Sequence, residues 1–402
     1  MTIRLRVLVV WLAALICGAA PAGAQQALGL GAAPGTSGTA TPGWTISPSL
    51  SFARVYDDNV LVLGPGSPLV HDYVNTINPR GELDFNSARS QFSAEYDGAF
   101  LGYQTLDTLN SYDQHGGLSL RRRLSKRTSL FASGSATAAP TTEFLELTGV
   151  PFVRVGSFAD TFDAGVEHLV SKRMTVTVSG TFQQARFDPN QTFASLLLGG
   201  NSIGGAVNLR ERLSARTTFT VDGDFQHATI GTADEIFDVQ HAMVGIERAL
   251  SQDFRVFAAG GVSRLGVTAF GPPRTGPSWK LGLVKDVRST IVNLSFDRSY
   301  VPSFGFGGTM QNEDVTASIR LPITRRFYTQ DSVSWQRSDP LVIAVPELRS
   351  VWLQGSVGYA VRPSVRIEAF FVGVRQSVGL PDPLAHNQIG VQIVAGTPMR
   401  IR

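Results

Sequence analysis

The chain has 402 residues, 43% of them hydrophobic, and 35 Lys and Arg against 32 Asp and Glu give a formal net charge of +3. That near balance offers no basic field for a nucleic-acid partner, and one cysteine, Cys17, supports neither a disulfide framework nor a zinc cluster. No run of 18 apolar residues follows the first 24, which excludes membrane-spanning helices there and leaves a strand-built crossing open.

Residues 1–24 read as a signal peptide. Arg4 and Arg6 form a basic start, Val7 to Ile16 an apolar stretch, and Ala22-Gly23-Ala24 a small-residue cleavage site. Export is therefore expected, with a mature start at Gln25, no remaining cysteine and a charge of +1 once Arg4 and Arg6 are lost. Ile16 stands before Cys17 where lipidation requires a small residue. Residues 25–43, QQALGLGAAPGTSGTATPG, are small and uncharged and read as a flexible lead-in. The spacing predicts order from Trp44 to the end of the chain.

The first strand, SFARVYDDNV (51–60), alternates and then meets Asp57, Asp58 and Asn59. This acidic cluster lacks the further oxygen ligands and the Gly of a calcium loop, so it marks the passage from strand to loop. Period two then dominates. In RMTVTVSGTFQ (173–183), Met174, Val176, Val178 and Phe182 share one face while Thr175, Thr177, Ser179, Thr181 and Gln183 share the other. TTFTVDGDFQ (217–226), SWKLGLVKD (278–286), IVNLSFD (291–297) and DVTASIRL (314–321) repeat the pattern.

Eight short connections join pairs of these strands: NSAR (86–89), LSKR (124–127), VSKR (170–173), LSAR (213–216), LSQD (250–253), VRST (287–290), ITRR (323–326) and VRPS (361–364). Their starts lie 36 to 46 residues apart, an internal repeat of one hairpin per unit. The opposite connections are longer and rich in Gly and Pro, as in LGPGSP (63–68), FGPPRTGP (270–277) and VPSFGFGG (301–308). Short turns on one edge and long loops on the other are the asymmetry of a transmembrane antiparallel up-and-down β-barrel, with periplasmic turns and extracellular loops. Eight hairpins give 16 strands, and a first strand from Trp44 with a last from Asn387 makes about 18, the expected count, with 16 as the alternative. A propeller blade requires four strands where these units have two. A soluble sandwich shares the alternation but not the signal peptide and the repeated turns.

In that architecture the apolar face meets lipid and the polar face lines the interior. Alternation puts Glu95, Asp97, Arg121, Arg123, Asp163, Glu167, Arg210, Asp222, Asp224, Lys280, Asp286, Asp297, Arg320, Arg366 and Glu368 inside. Nine acids against six bases predict no single-sign filter, and fit either a pore with modest cation preference or a wall cross-linked by ion pairs. Eighteen strands enclose an aqueous channel unless a loop fills it. The connection Ala138 to Ser157 is the candidate for such a constriction, an outward loop tip being the commoner use. Trp44, Trp279, Trp335 and Trp352 are expected in interfacial girdles.

Catalytic chemistry has no foothold. The six histidines are scattered without an H-E-x-x-H pair, GGNSIGG (199–205) lacks the G-K-[ST] of a P-loop, and no G-x-S-x-G elbow occurs. No enzyme, cofactor or metal is expected.

With SPSLSFARVYDDNV (47–60), the L-S-x-R turns and the Pro-Met-Arg ending (398–400) in view, the chain resembles the putative beta-barrel porin 2 family of bacterial outer-membrane proteins. The resemblance implies an outer-membrane, porin-like passive channel for hydrophilic solutes, and an association with exopolysaccharide synthesis and export. The alternative it leaves is a plugged barrel that anchors or docks components of a surface-polysaccharide system.

Overall fold

The computed structural model describes residues 42–64, 67–142, 149–189, 197–231, 235–268, 271–287, 290–306, 308–341, 346–379 and 383–401. The expected signal peptide, nearly all of the lead-in, the middle of the VRST turn and parts of the long loops lie outside the described residues. What is described is almost wholly strand: β1 (Gly43–Asp57), β2 (Asp72–Asn86), β3 (Ser90–Tyr103), β4 (Ser111–Arg123), β5 (Thr128–Ala139), β6 (Ser157–Leu169), β7 (Met174–Phe187), β8 (Gly200–Arg212) and β9 (Thr217–Ile230). There follow β10 (Glu235–Ala249), β11 (Phe254–Leu265), β12 (Arg274–Val287), β13 (Thr290–Pro302), β14 (Thr309–Pro322), β15 (Phe327–Pro340), β16 (Leu348–Arg362), β17 (Val365–Val378), β18 (Leu384–Gly396) and β19 (Met399–Ile401). One 3-10 turn, Asp107–Leu109, is the only helix among the described residues.

Each strand from β1 to β17 pairs antiparallel with the next, and β18 pairs back with β1, so the sheet closes on itself. β1 pairs with β2 from Gly43↔Asn86 to Asp57↔Asp72, and on its other side with β18 from Ser49↔Gly396 to Asp57↔Gln388. β19 continues that seam past Pro398, which has no N–H to give the ladder, from Ile46↔Met399 to Trp44↔Ile401. β18 and β19 are thus one interrupted strand, and the wall is a closed, antiparallel, 18-strand barrel. The last strand begins at Leu384, three residues before the expected start.

The short turns show why Ser or Thr recurs in them. In LSKR the Ser125 hydroxyl accepts the backbone N–H groups of Arg127 (3.1 Å) and Thr128 (3.0 Å). Ser171 does the same for Arg173 and Met174, and Thr324 for Arg326 and Phe327. A hydroxyl three residues before the next strand begins caps donors that the ladder leaves unmatched, and so sets where each hairpin reverses.

Directly paired residues share a face, so the outer face can be followed around the wall. Ile393 pairs with Phe52, Phe52 with Ile77, Ile77 with Phe100 and Phe100 with Tyr112. Further on, Leu281 pairs with Phe296 and Val333 with Leu353. Exposed large apolar side chains populate this face on every side. Trp44, Trp279 and Trp335 share it, but Trp352 does not. It sits between outward Val351 and Leu353, so the two-residue period turns it inward, where it is buried. Inner-face aromatics lean over glycines of the next strand: a Cβ at Gly358 would overlap the Tyr328 ring.

Leu281→Arg on the outer face is expected to destabilise the barrel by about 2–4 kcal/mol in phospholipid vesicles. Lys280→Gln, one residue away on the inner face, should stay within about 1 kcal/mol. Urea unfolding of both variants in vesicles measures this, and equal costs would contradict the assignment of faces.

Candidate functional site

The long-loop end of the barrel is where the chain departs from a plain ladder. Asp57, Asp58 and Asn59 end β1 there, and each is spent on holding the seam. The Asp57 carboxylate accepts from His386 Nε2 (2.9 Å), Gln388 Nε2 (2.9 Å) and the Asn59 backbone N–H (2.9 Å). Asp58 accepts from the Asn387 backbone N–H (2.7 Å) and from its side-chain amide. Asn59, fully buried, donates to the carbonyls of Leu63 (3.1 Å) and Ala385 (2.9 Å) and accepts from the Leu63 N–H (3.0 Å). The YDDN stretch therefore latches β1 to β18. Between the Asn59 contacts lies Val62 with φ +52°, costly for a β-branched residue and held there by this bracket.

The connection between β5 and β6 turns inward. Thr142 ties its neck: its hydroxyl donates to the Pro151 carbonyl (2.7 Å) and accepts from the Val153 N–H (2.8 Å). Beyond the neck, Phe152 reaches β17, six strands around the wall from β5. There the Gln376 side-chain amide takes both its backbone groups, the Phe152 N–H donating to Oε1 (2.7 Å) and Nε2 donating to the Phe152 carbonyl (3.1 Å). Its ring is 1% exposed, 5.5 Å from Trp352 and 5.1 Å from His386, and clusters with Val62, Val374 and Leu384. Arg154 binds the carbonyls of Val60 and Leu109 and the Tyr103 hydroxyl, fastening the loop to the β1–β2 connection and the β3 end.

A second segment joins it. β12–β13 pairing stops at Trp279↔Arg298, whereas β13–β14 pairing runs on to Pro302↔Thr309, so the hairpin tip leaves the wall. The Tyr300 carbonyl meets His241 Nε2 (2.8 Å) on the inner wall, and the Ser303 hydroxyl donates to the Gly149 carbonyl (3.1 Å). Gly149 has φ +76°, and a Cβ there would come within 2.9 Å of Ser303 Oγ, so this contact requires glycine. Phe304 and Tyr300 are buried against Ile230, Phe237, Val239 and Leu265, which face inward at the tops of β9, β10 and β11. The mouth is thus narrowed by two inward segments packed as a small apolar core.

Below the mouth the inner wall is polar. The register sets Glu95 and Asp97 of β3, Arg121 and Arg123 of β4, Asp163 and Glu167 of β6, Arg210 of β8 and Asp222 and Asp224 of β9 on the face opposite the exposed apolar residues. Lys280 and Asp286 of β12, Asp297 of β13, Arg320 of β14 and Arg366 and Glu368 of β17 fall on the same face. Several are brought together: Arg121 with Glu167 (2.7 Å), Arg366 with Glu368 (2.8 Å), Asp224 with His241 (2.7 Å), and Asp222 with Asn208. Lys280, Asp297 and Asp314 stand side by side on adjacent strands. Arg123 and Asp286 stay apart, at the short-turn rim.

Alternation also places Arg80 and Glu247 on this face. Arg80 lies 3.1 Å from Glu95 and 3.8 Å from Asp97, and Glu247 2.7 Å from Arg210. Phe152, Gln376 and His386 carried no signal, because a loop residue and wall residues more than 200 positions away meet only in the folded barrel. No group of three or more His, Cys, Asp or Glu able to hold a metal occurs among the described residues.

Residues 33–144 match the family described as Putative beta-barrel porin 2. The match includes the YDDN strand on which the resemblance was read. No curated protein matches the chain. Among solved structures, Pseudomonas aeruginosa OpdO is similar at 10% identity over 88% of this chain and 97% of its own, with a TM-score of 0.47. Acinetobacter baumannii OccAB4 is 9% identical over 89% and 99%, TM-score 0.46, and a BenF-like porin from Pseudomonas fluorescens Pf-5 is 8% identical over 88% and 99%, TM-score 0.44.

Asn59→Ala removes one acceptor and two donations at the latch, and is expected to destabilise the barrel by about 1–3 kcal/mol. The temperature at which the compact, heat-modifiable band unfolds on a detergent gel should fall. Asp286→Asn at the short-turn rim should leave it unchanged, and an Asn59→Ala barrel as heat-resistant as the parent would contradict the latch.

Proposed function

We propose that the chain is a passive, porin-like outer-membrane channel for hydrophilic solutes. The observation that carries this reading is a closed barrel of 18 strands with an apolar outer face and a charged inner wall, a size at which the interior holds an aqueous path. The short turns then face the periplasm and the narrowed mouth faces outward. The signal peptide read in residues 1–24 supports export to that membrane. Among the described inner residues acids outnumber bases, Glu82, Asp84 and Asp314 adding to those named above, which favours cations. Paired charges such as Arg121–Glu167 give a polar lining without a single-sign barrier. The link to polysaccharide export, and any partner from such a system, rests on the family resemblance alone.

A plugged barrel that serves as an anchor or docking platform is the second reading. The near-complete burial of Phe152 and Phe304 in the mouth favours it. Planar-bilayer recordings separate the two. A channel gives discrete steps with a reversal potential on the cation side in a salt gradient, and Gln376→Ala, which frees the crossing loop, enlarges the steps or lengthens their open times. Silence from the parent and from Gln376→Ala alike would support the plug.

A further inference from the structure

The outer face carries a feature that solute passage does not use. Arg264, Arg337 and Arg375 each stand ten residues beyond the short-turn starts of their strands, Phe254, Phe327 and Val365, and Arg54 stands eleven beyond Gly43. All four share a face with exposed apolar residues, since Arg54 pairs with Val391, Arg264 with Gln240 beside Val262, Arg337 with Arg349 and Arg375 with Val351. At about 3.3 Å per residue and a tilt of about 40°, ten residues climb about 25 Å, the height of the apolar band of an outer-membrane barrel. The guanidiniums therefore stand at the upper edge of that band, along the arc of wall that runs from β11 through β18 to β1.

Their charge is largely uncompensated. Arg54 contacts the amide oxygens of Asn75 (3.2 Å) and Gln104 (2.7 Å) and lies 4.9 Å above the Tyr73 ring. Arg375 contacts the Val374 carbonyl (2.9 Å) and the Asn387 amide oxygen (3.1 Å). Among the described residues no carboxylate lies within 4 Å of Arg54, Arg264 or Arg375, while Arg337 shares Asp339 and Glu347.

Below Arg264 the wall is dented. Gly205, Gly223 and Ala242 place small residues on three neighbouring strands, and with Val207, Phe225 and Val262 they line an outward groove of about 570 Å³, bordered above by Arg264 and Gln240. An apolar trough running down from an unneutralised guanidinium has the two-part chemistry of a phospholipid-like ligand: an anionic head and a hydrocarbon chain.

We propose that this face of β8 to β12 is a binding site for a phosphate-bearing lipid of the outer leaflet, with the phosphate on Arg264 and an acyl chain in the groove. Arg54 and Arg375, which have no carboxylate within 4 Å among the described residues, stand at the same level further along the wall, whereas Arg337 is already held by Asp339 and Glu347. The site rests on the membrane-barrel reading but not on conduction. It differs from a free-phosphate site because the groove has no use for an anion alone.

Native mass spectrometry of the full-length barrel in detergent tests this, with bis-phosphorylated lipid A as probe, and with dephosphorylated lipid A and inorganic phosphate as controls. The parent is expected to retain bis-phosphorylated lipid A at least fivefold better than the dephosphorylated form. Arg264→Gln should lose most of that preference. Gly223→Leu should weaken both lipids without altering charge, since a Cβ at Gly223 meets only the His241 carbonyl at 3.9 Å and the barrel has room for it. Equal retention by parent, Arg264→Gln and Gly223→Leu, or displacement of the lipid by millimolar inorganic phosphate, would overturn the proposal. Bilayer steps persisting in variants that have lost lipid would separate its fate from that of the channel.

Discussion

A strand edge left open exposes a row of N–H and C=O groups without partners. Closure between β1 and β18 is therefore the constraint on which the other seventeen seams depend. The ladder alone does not end that seam cleanly, because its two strands lie at opposite ends of the chain and no short turn joins them. Asp57, Asp58 and Asn59 supply what a hairpin supplies elsewhere: they take up the donors of His386, Asn387 and Gln388 and fix the register at the long-loop end. An acidic cluster that could have been mistaken for a ligand set is consumed as the fastening of a closed sheet.

The same corner organises the mouth. His386, bound through Nε2 to Asp57, also lies tilted against the Phe152 ring, and Val62, bracketed by Asn59, packs on that ring. The latch and the crossing loop are thus one packed unit, in which closing the barrel builds the platform on which the loop rests. The hairpin tip of β13 and β14 meets the other end of the loop at Gly149. Apolar packing at the mouth and ion pairs below it divide the interior into two regimes.

The outer wall is divided in the same manner. Its lower and middle parts are largely apolar, and Arg54, Arg264, Arg337 and Arg375 stand where about 25 Å of strand has been climbed. Arg122 and Lys285 also point outward, but at the short-turn rim, so the charged residues bound the band from both sides. Asp331 is an exception. It pairs with outward Ile319 only four residues above Phe327, accepts from Thr329 Oγ1 at 2.9 Å, and nothing in the structure explains its place there.

The sequence by itself determined the class of fold, the strand count and the two faces. Period two, hydroxyl-bearing turns and a barrel's strict alternation are local properties, each readable within about 15 residues. It could therefore assign Glu95, Arg210 or Lys280 to a face, and could single out the connection from Ala138 to Ser157. Only the tertiary structure decided that this connection crosses to Gln376, that Trp352 turns inward to meet it, that Asp57 finds His386, and that Arg264 stands over a groove that spans β8 to β11. Those contacts join residues brought together by closure and shear around the wall, and no local pattern encodes which distant strand a loop will touch.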